Sequence, residues 1–485
     1  VTMPDFTLIA PQLIVLVAAL LVPGLYLLTK NDKLVGVVSL ISVLAAGLYL
    51  GWMMMEGVSG SFLGVYAVDD FSLLLTGLFL VVAFLVLLTS LRSVERDRHH
   101  GEYYALMLAA TAGMMFVACA EDLIGIFVGV ELTSISSYAL VAFRKNDPRA
   151  AEAAVKYLVI GGLSTALTLY GFSLLYGVTQ TTNLDAIALA IGSAPTAGLL
   201  LSVAMIIAGL GFKITAVPFH MWAPDVYEGA TVPVTTFLAV GSKKMGFVAL
   251  FKIFLIGFIA AQATLVSDVQ YAFAVLAAIT MTVGNVVALS QTNMKRLLAY
   301  SSIAQAGYLM MVLAIMTPYA LTGGLFHMIT HVFMKGGAFI IVAALCYLSM
   351  GEKLSDYKGL AKRAPVLAFA MLIFLFALAG IPPLAGFVSK FVLFSSAVGV
   401  PGAMVETQWI WLVFVAVINS AISLYYYARV VKFMYVDEAE SVEPIRVPMP
   451  FMAAILICLV AVIAMGVFPE PVITLCENAA TALMG

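Results

Sequence analysis

Fourteen runs of about twenty apolar residues follow one another along this chain, and six lysines, Lys213, Lys243, Lys244, Lys252, Lys335 and Lys390, stand inside them. A helix of about twenty apolar residues crosses the ~30 Å hydrocarbon core of a bilayer. A lysine at the centre of that core costs roughly 2.5–3.5 kcal/mol on insertion scales. Six unpaired ones would cost on the order of 15–20 kcal/mol, comparable with the whole stability of a typical domain. A chain that keeps them must pair them, hydrate them or let them lose their protons. Each option points to the movement of ions or protons.

The expected spans are 8–28, 34–55, 71–91, 103–120, 122–142, 155–177, 198–221, 230–257, 269–290, 297–316, 319–348, 366–395, 407–435 and 451–475. Only 10% of the 485 residues are charged, against about a quarter in soluble domains. The fold class is therefore an all-α polytopic membrane protein. The first run is too long for a signal-peptide core and has no basic stretch before it, so it reads as a retained span. A net charge of −2 offers nothing to nucleic acid. Cys119, Cys346, Cys458 and Cys476 lie singly in or near apolar runs without metal-binding spacing, and read as small core hydrophobes. No loop is long enough for a folded domain. The longest, 178–197, reads as an external connection, and no appendage is expected after the last span.

The remaining basic residues test this count. Lys30 and Lys33 follow span one; Arg92, Arg96 and Arg98 follow span three; Arg144, Lys145, Arg149 and Lys156 follow span five. Lys295 and Arg296 follow span nine, Lys353, Lys358, Lys362 and Arg363 span eleven, and Arg429, Lys432 and Arg446 flank the loop after span thirteen. All lie on odd-numbered connections. The even-numbered connections and the termini carry acidic residues instead, among them Asp69, Asp70, Glu121, Asp122 and Asp185. By the positive-inside rule both termini are expected outside.

Two spans are interrupted. Span seven carries Lys213 before Pro218, and span twelve carries Gly380, Pro382, Pro383 and Gly386 before Lys390. Proline removes a backbone donor, and the carbonyls it frees need water or a polar partner at membrane depth. The two segments stand five spans apart, an odd offset that requires opposite orientation. This is the pattern of two inverted five-helix repeats with broken helices seven and twelve. The expected division is a three-helix segment at 1–100, repeats at 101–258 and 259–436, and a C-terminal helix at 437–485.

Glu131 is the acidic residue well inside a span, with Ser134 and Tyr138 on its helical face and Gly125 and Gly129 permitting close helix approach. One of the buried lysines is its expected ion partner. Burial favours the neutral form of a lysine and a neighbouring carboxylate the charged form, so changing their separation would switch a lysine between holding and releasing a proton. A static pair that only fixes packing is the alternative. His220, seven residues after Lys213, shares its face if the break permits. His327, His331 and Lys335 repeat every four residues along span eleven and read as a proton relay rather than isolated core histidines. Lys243 and Lys244 face ~100° apart and are not expected to share a cavity. Lys252 is expected to snorkel toward an interface. His99 and His100 read as solvated loop residues, and Asp225 and Glu228 as residues that fix an interfacial turn.

The segments GLGFKITAVPFHMWAPDVYEGATVPVTTFL (209–238) and LSQTNMKRLLAYSSIAQAGYLM (289–310) resemble the antiporter-like membrane subunits of respiratory complex I, over nearly the whole chain. The W-x-P-D-V-Y-E-G-A and Q-T-N-x-K-R-L-L-x-Y-S-S-I runs are more similar to subunit N than to M or L. The resemblance implies fourteen helices with two inverted five-helix bundles. It implies that Glu131 is the fifth-helix carboxylate, Lys213 its partner on the broken seventh helix, and Lys156 the lysine at the start of the sixth. It further implies that His220 and Lys243 link the half-channels and that Lys390 is the outlet, with Lys244 and Lys252 outside this axis. Two departures stand out: Gln305 replaces a histidine of some relatives, and FHMITHVFMK is closer to the M and L subunits.

The expected function is a proton-translocating membrane subunit of a complex I-like redox pump in a bacterial or archaeal cytoplasmic membrane. No cofactor is expected in this chain. Flavin or deazaflavin and iron–sulfur clusters are expected in partner subunits of a peripheral redox arm, beside M-like, K-like and J-like membrane subunits. A Na⁺/H⁺ antiporter or membrane-bound hydrogenase subunit of the same fold is one alternative. A structural subunit with a vestigial polar axis is another.

Overall fold

The computed structural model describes residues 5–95, 97–258, 263–399, 407–438 and 443–485, without the side chains of 263 and 264. Arg96 and the expected seam between the repeats at 258/259 fall at or outside the edges of these segments. Among the described residues, twelve helices are long and apolar enough to cross a membrane. They are spans one to seven (Ala10–Thr29, Asp32–Met55, Asp70–Ser93, His100–Cys119, Leu123–Val141, Pro148–Thr179, Thr196–Ile214), then spans nine to eleven (Leu265–Ala288, Met294–Ile315, Pro318–Tyr347), span thirteen (Ile410–Tyr435) and span fourteen (Met449–Val467). The other two expected spans are present in interrupted form. Span eight runs as Val232–Phe237, a π-helical Leu238–Ser242, Lys243–Phe251 and a second π-helical stretch, Lys252–Gly257. Span twelve is split into Pro365–Ala379 and Ala385–Ser395.

Each break satisfies its own backbone. Thr215 ends span seven in the left-handed region at φ 62°, and Ala216 N–H donates back to Gly211 O at 2.8 Å. The Phe212 carbonyl, which accepts from Thr215 N–H at 3.1 Å, also accepts from Trp222 Nε1 at 2.9 Å. Val217 N–H is taken up by Thr280 Oγ1 of span nine at 3.0 Å. In span twelve Gly380 takes φ 92°, a conformation that costs glycine little. The carbonyls of Leu378 and Ala379 are then left for side chains.

The helix termini group as the charge pattern requires. On the odd-numbered side Arg144 reaches Asp97 at 2.9 Å, Lys156 reaches Asp225 at 2.7 Å, and Arg296 reaches Asp225 at 2.8 Å and Glu228 at 3.0 Å. Lys295 and Glu352 meet there at 2.6 Å. On the even-numbered side Ser61 donates to Glu121 at 3.3 Å and Thr182 to Asp122 at 2.5 Å. Contacts within each set, across five different connections on the odd side, fit a chain that crosses between two faces at every span. Spans ten and eleven are almost wholly enclosed by protein, whereas spans one and two present most of their apolar surface outward.

Four local expectations change. A two-stranded hairpin, Gly60–Phe62 with Tyr66–Val68, caps the even face in an otherwise helical chain. Span six begins at Pro148 rather than near 155, because Asp147 caps it through Arg149 N–H at 2.9 Å. Span fourteen does not continue to 475. Proline at 469 and 471 ends it, and a separate fifteen-residue helix, Glu470–Met484, follows and packs on spans three and eleven. His100 is not a solvated loop residue. It opens span four, is buried, and bridges Asp32 at 3.0 Å and Val94 O at 2.8 Å.

Candidate functional site

The buried polar residues begin on span five. Gly129 lies so close to Gly113 of span four that an added Cβ would meet its carbonyl at 2.9 Å, while Gly125 is in ordinary contact. This close packing turns the face of Glu131 and Ser134 toward spans six and seven. Glu131 accepts from Thr165 Oγ1 of span six at 2.8 Å. Lys213, buried in the last turn of span seven, donates to Ser134 Oγ at 2.9 Å. The expected ion pair is therefore not formed in this arrangement: the lysine stands one helical turn from the carboxylate, held by a hydroxyl. Gly246 of span eight makes room for its stem, since a Cβ there would lie 3.2 Å from Lys213 Cγ.

His220 lies beyond the break and does not share a helical face with Lys213, because the helix ends at Ile214. Its Nδ1 is buried without a partner. Lys156 is 41% exposed and clamps Glu152 and Asp225, both at 2.7 Å, so it belongs to the odd-face ion network rather than to the buried row. In that network burial raises the Asp225 carboxyl, but hydrogen bonds from Lys156 and Arg296 more than offset this and hold it below its ordinary value.

Adjacent serines of span ten receive one lysine from span eight and one from span eleven. Lys243 Nζ donates to Ser302 Oγ at 2.8 Å and Ser302 O at 3.2 Å, and lies 5.8 Å from the Tyr227 ring. Lys335 of span eleven donates to Ser301 Oγ and to Leu298 O at 3.3 Å. Ser301 also hydrogen-bonds Tyr427 of span thirteen. The predicted stripe on span eleven does share one face, with the His327 and His331 rings 6.1 Å apart. Lys335 turns away from them toward span ten.

His327 connects three helices. Its Nε2 meets Gln305 Oε1 of span ten and its Nδ1 meets Ser389 Oγ of span twelve, each at 3.0 Å. Gln305 Nε2 donates in turn to Leu378 O at 3.2 Å. That same carbonyl accepts from Lys390 Nζ at 2.8 Å, and Ala379 O does so at 3.2 Å. Ser420 Oγ completes the lysine's shell at 2.9 Å. A lysine ammonium thus sits on the C-terminal carbonyls of a half-helix, where the peptide dipoles favour a cation. Lys390 also lies 4.9 Å from the Tyr308 ring.

One lysine differs from expectation. Lys252 does not snorkel: it is 1% exposed and lies 5.5 Å from the Phe71 ring. Lys244 is equally buried. The residues that sequence reasoning missed are the oxygen partners: Ser301, Ser302, Ser389, Ser420 and the carbonyl of Leu378. Ser301, Gln305 and Tyr308 recur at helical spacing along span ten, a polar stripe that could have marked it. Among the described residues no group of three or more His, Cys, Asp or Glu side chains could hold a metal ion.

Residues 120–423 match the family model described as NADH:quinone oxidoreductase/Mrp antiporter, TM. The chain is 43% identical to F(420)H(2) dehydrogenase subunit N of Methanosarcina mazei, covering 99% of this chain and all of that one. It is 43% identical to NADH-quinone oxidoreductase subunit N of Desulforamulus reducens, over 87% of this chain and 86% of the relative. A chain in the structure of respiratory complex I from Thermus thermophilus superposes with a TM-score of 0.81 at 31% identity, over 96% of this chain and 98% of that one.

Proposed function

The chain belongs to the NADH:quinone oxidoreductase/Mrp antiporter membrane family, and from that premise we propose that it is the N-like, proton-translocating membrane subunit of a complex I-related redox-driven pump. One observation carries the reading. Lys213, Lys243, Lys335 and Lys390 are buried, and their ammonium groups are held by hydroxyl and carbonyl oxygens rather than by carboxylates. A buried lysine locked to a carboxylate stays charged, and neutralising it would strand an anion. A lysine held by neutral oxygens can release its proton and leave nothing unpaired but an amine.

In this reading Glu131 and Lys213 form the switch. Approach of the ammonium to the carboxylate retains the proton, and retreat to Ser134 favours its release. Lys243 and Lys335 carry the proton across the middle of the molecule, with His220, His327 and His331 as relay groups. Lys390, on the broken span twelve, is the outlet, and Pro218, Pro382 and Pro383 keep the breaks open. Lys156 supports the switch from the odd face. Moving one charge against 100 mV costs roughly 2.3 kcal/mol. A single hydrogen bond to a charged group contributes about 1.5–3 kcal/mol, so one contact made or broken is of the right size.

Residues 101–258 and 259–436 act as two inverted units, flanked by the N-terminal three-helix segment and the C-terminal part. The redox groups, a flavin or deazaflavin and iron–sulfur clusters, belong to partner subunits, and M-like, K-like and J-like membrane subunits adjoin this one. Charge asymmetry supports placement in a cytoplasmic membrane with both termini outside. Hydroxyls and amines along the row favour H⁺ over Na⁺, which needs several oxygen ligands. The test is proton translocation by the whole complex in sealed vesicles. Lys213→Ala and Glu131→Ala are each expected to abolish it, and wild-type protons per electron pair in either variant would overturn the pathway.

A further inference from the structure

Span eight carries a second buried lysine beside Lys243. Lys244 is 1% exposed, and no hydrogen bond ties it to a described residue, whereas Lys243 is held by Ser302. The neighbours of span eight fix its faces. Gly241 abuts Val82 and Met114 of spans three and four, and Gly246 abuts Lys213 and Ile214 of span seven. Val240 instead lies against Gly336 of span eleven, the residue after Lys335. Residues four apart share a helical face, so Lys244 faces span eleven one turn beyond Val240. Spans of opposite parity run antiparallel. One turn up span eight from Gly336 is therefore one turn back along span eleven, at Val332 and His331.

His331 is the complementary group. It is 1% exposed, and both of its ring nitrogens are buried without a hydrogen-bond partner. Buried polar atoms are normally satisfied, and an exception calls for a cause. His327, whose ring lies 6.1 Å from that of His331, and Lys335, the residue before Gly336, stand on the same stretch of span eleven.

We propose that Lys244 is a proton carrier that joins Lys243, in the first half of the molecule, to His331, in the second. The inference rests on the reading of the chain as a proton-translocating subunit. In the step, an N–H bond of the Lys244 ammonium breaks and its proton adds to the lone pair of a ring nitrogen of neutral His331. The resulting amine takes a proton from the Lys243 ammonium, and no electrons change hands. The flexible four-carbon stem of Lys244 supplies the reach. Lys243 and Lys244 thus divide the work by facing different helices. The first is docked on span ten, and the second is free to deliver to span eleven.

The experiment compares Lys244→Met, Lys244→Arg and Lys213→Ala in the assembled complex in sealed vesicles, reading protons translocated per electron pair beside the electron-transfer rate. Arginine keeps a permanent charge and cannot release it at physiological pH. Both Lys244 variants are expected to assemble and to translocate severalfold fewer protons per electron pair. Wild-type stoichiometry in Lys244→Arg would reduce the residue to a structural cation and overturn the proposal, as would wild-type stoichiometry in Lys244→Met. If methionine prevents assembly, the arginine variant decides. Failure of both to assemble would mark a structural role and overturn it too. Lys213→Ala separates the two levels: lost translocation there with normal Lys244 variants sinks this inference alone, and normal translocation there sinks the pathway.

Discussion

Lys213 donates to Ser134 at 2.9 Å, and Glu131, one turn away on the same face, accepts instead from Thr165 at 2.8 Å. One helical turn of span five therefore separates a neutral partner of the lysine from an anionic one. Ser134→Ala removes the neutral partner. Lys213 is then expected to settle on Glu131, and proton translocation should fall severalfold while electron transfer and assembly persist. Pumping rates of Ser134→Ala in vesicles, compared with Lys213→Ala, check this. An unchanged rate would mean that the hydroxyl is not a station for the lysine.

Much of this arrangement is legible in the sequence, and the reason is the cost of burial. Apolar runs of bilayer length and the strict placement of basic residues on odd connections mark the spans, and the odd-face contacts Arg144–Asp97 and Lys156–Asp225 agree with that placement. Pro218 and the Pro382–Pro383 pair mark the breaks, because proline cannot continue a helix. The partners of the lysines are not legible in the same way. Ser301, Ser302 and Ser420 are chemically ordinary, and only packing shows that they meet Lys335, Lys243 and Lys390. Charge alone calls for one of the buried lysines as the partner of Glu131 and the family resemblance points to Lys213, yet a hydroxyl at i+3 competes for the same ammonium. His100 looked like loop chemistry because its neighbours are polar, but the helix starts at that residue and draws it inward. Snorkelling is the expectation for Lys252, and burial to 1% exposure beside the Phe71 ring shows packing that the sequence does not reveal.

Gln305 stands where a histidine would add a titratable group, and here it acts as a splice. Its amide joins His327 Nε2 to the Leu378 carbonyl that also holds Lys390. Gln305→Leu would leave a buried imidazole nitrogen unsatisfied, at a cost of about 1–3 kcal/mol. The variant is expected to lower the thermal unfolding temperature of the purified complex and to loosen spans ten, eleven and twelve together. Gln305→His keeps a polar group in place and should lose less. Equal thermal stability of wild type and Gln305→Leu, by differential scanning calorimetry, would show that His327 repartners.

Asp225 supplies a pH test outside the membrane. Two cations, Lys156 and Arg296, hold its carboxyl below the ordinary value of 3.8 in spite of partial burial. A group depressed in the folded state contributes stability that is fully present above its unfolded value and is lost as pH falls through the lower, folded one. The clamp joining the start of span six, the short helix Trp222–Gly229 and the start of span ten should therefore hold unchanged from neutral pH down to about pH 4 and weaken below it. Asp225→Asn removes the charge at every pH, so the stability difference between wild type and variant is expected to be constant above about pH 4 and to shrink below it. Thermal stability of both proteins measured from pH 7 to pH 3 reads this directly. A difference that grows on acidification would mean that Asp225 is protonated more readily in the folded state, and that the two cations do not govern it.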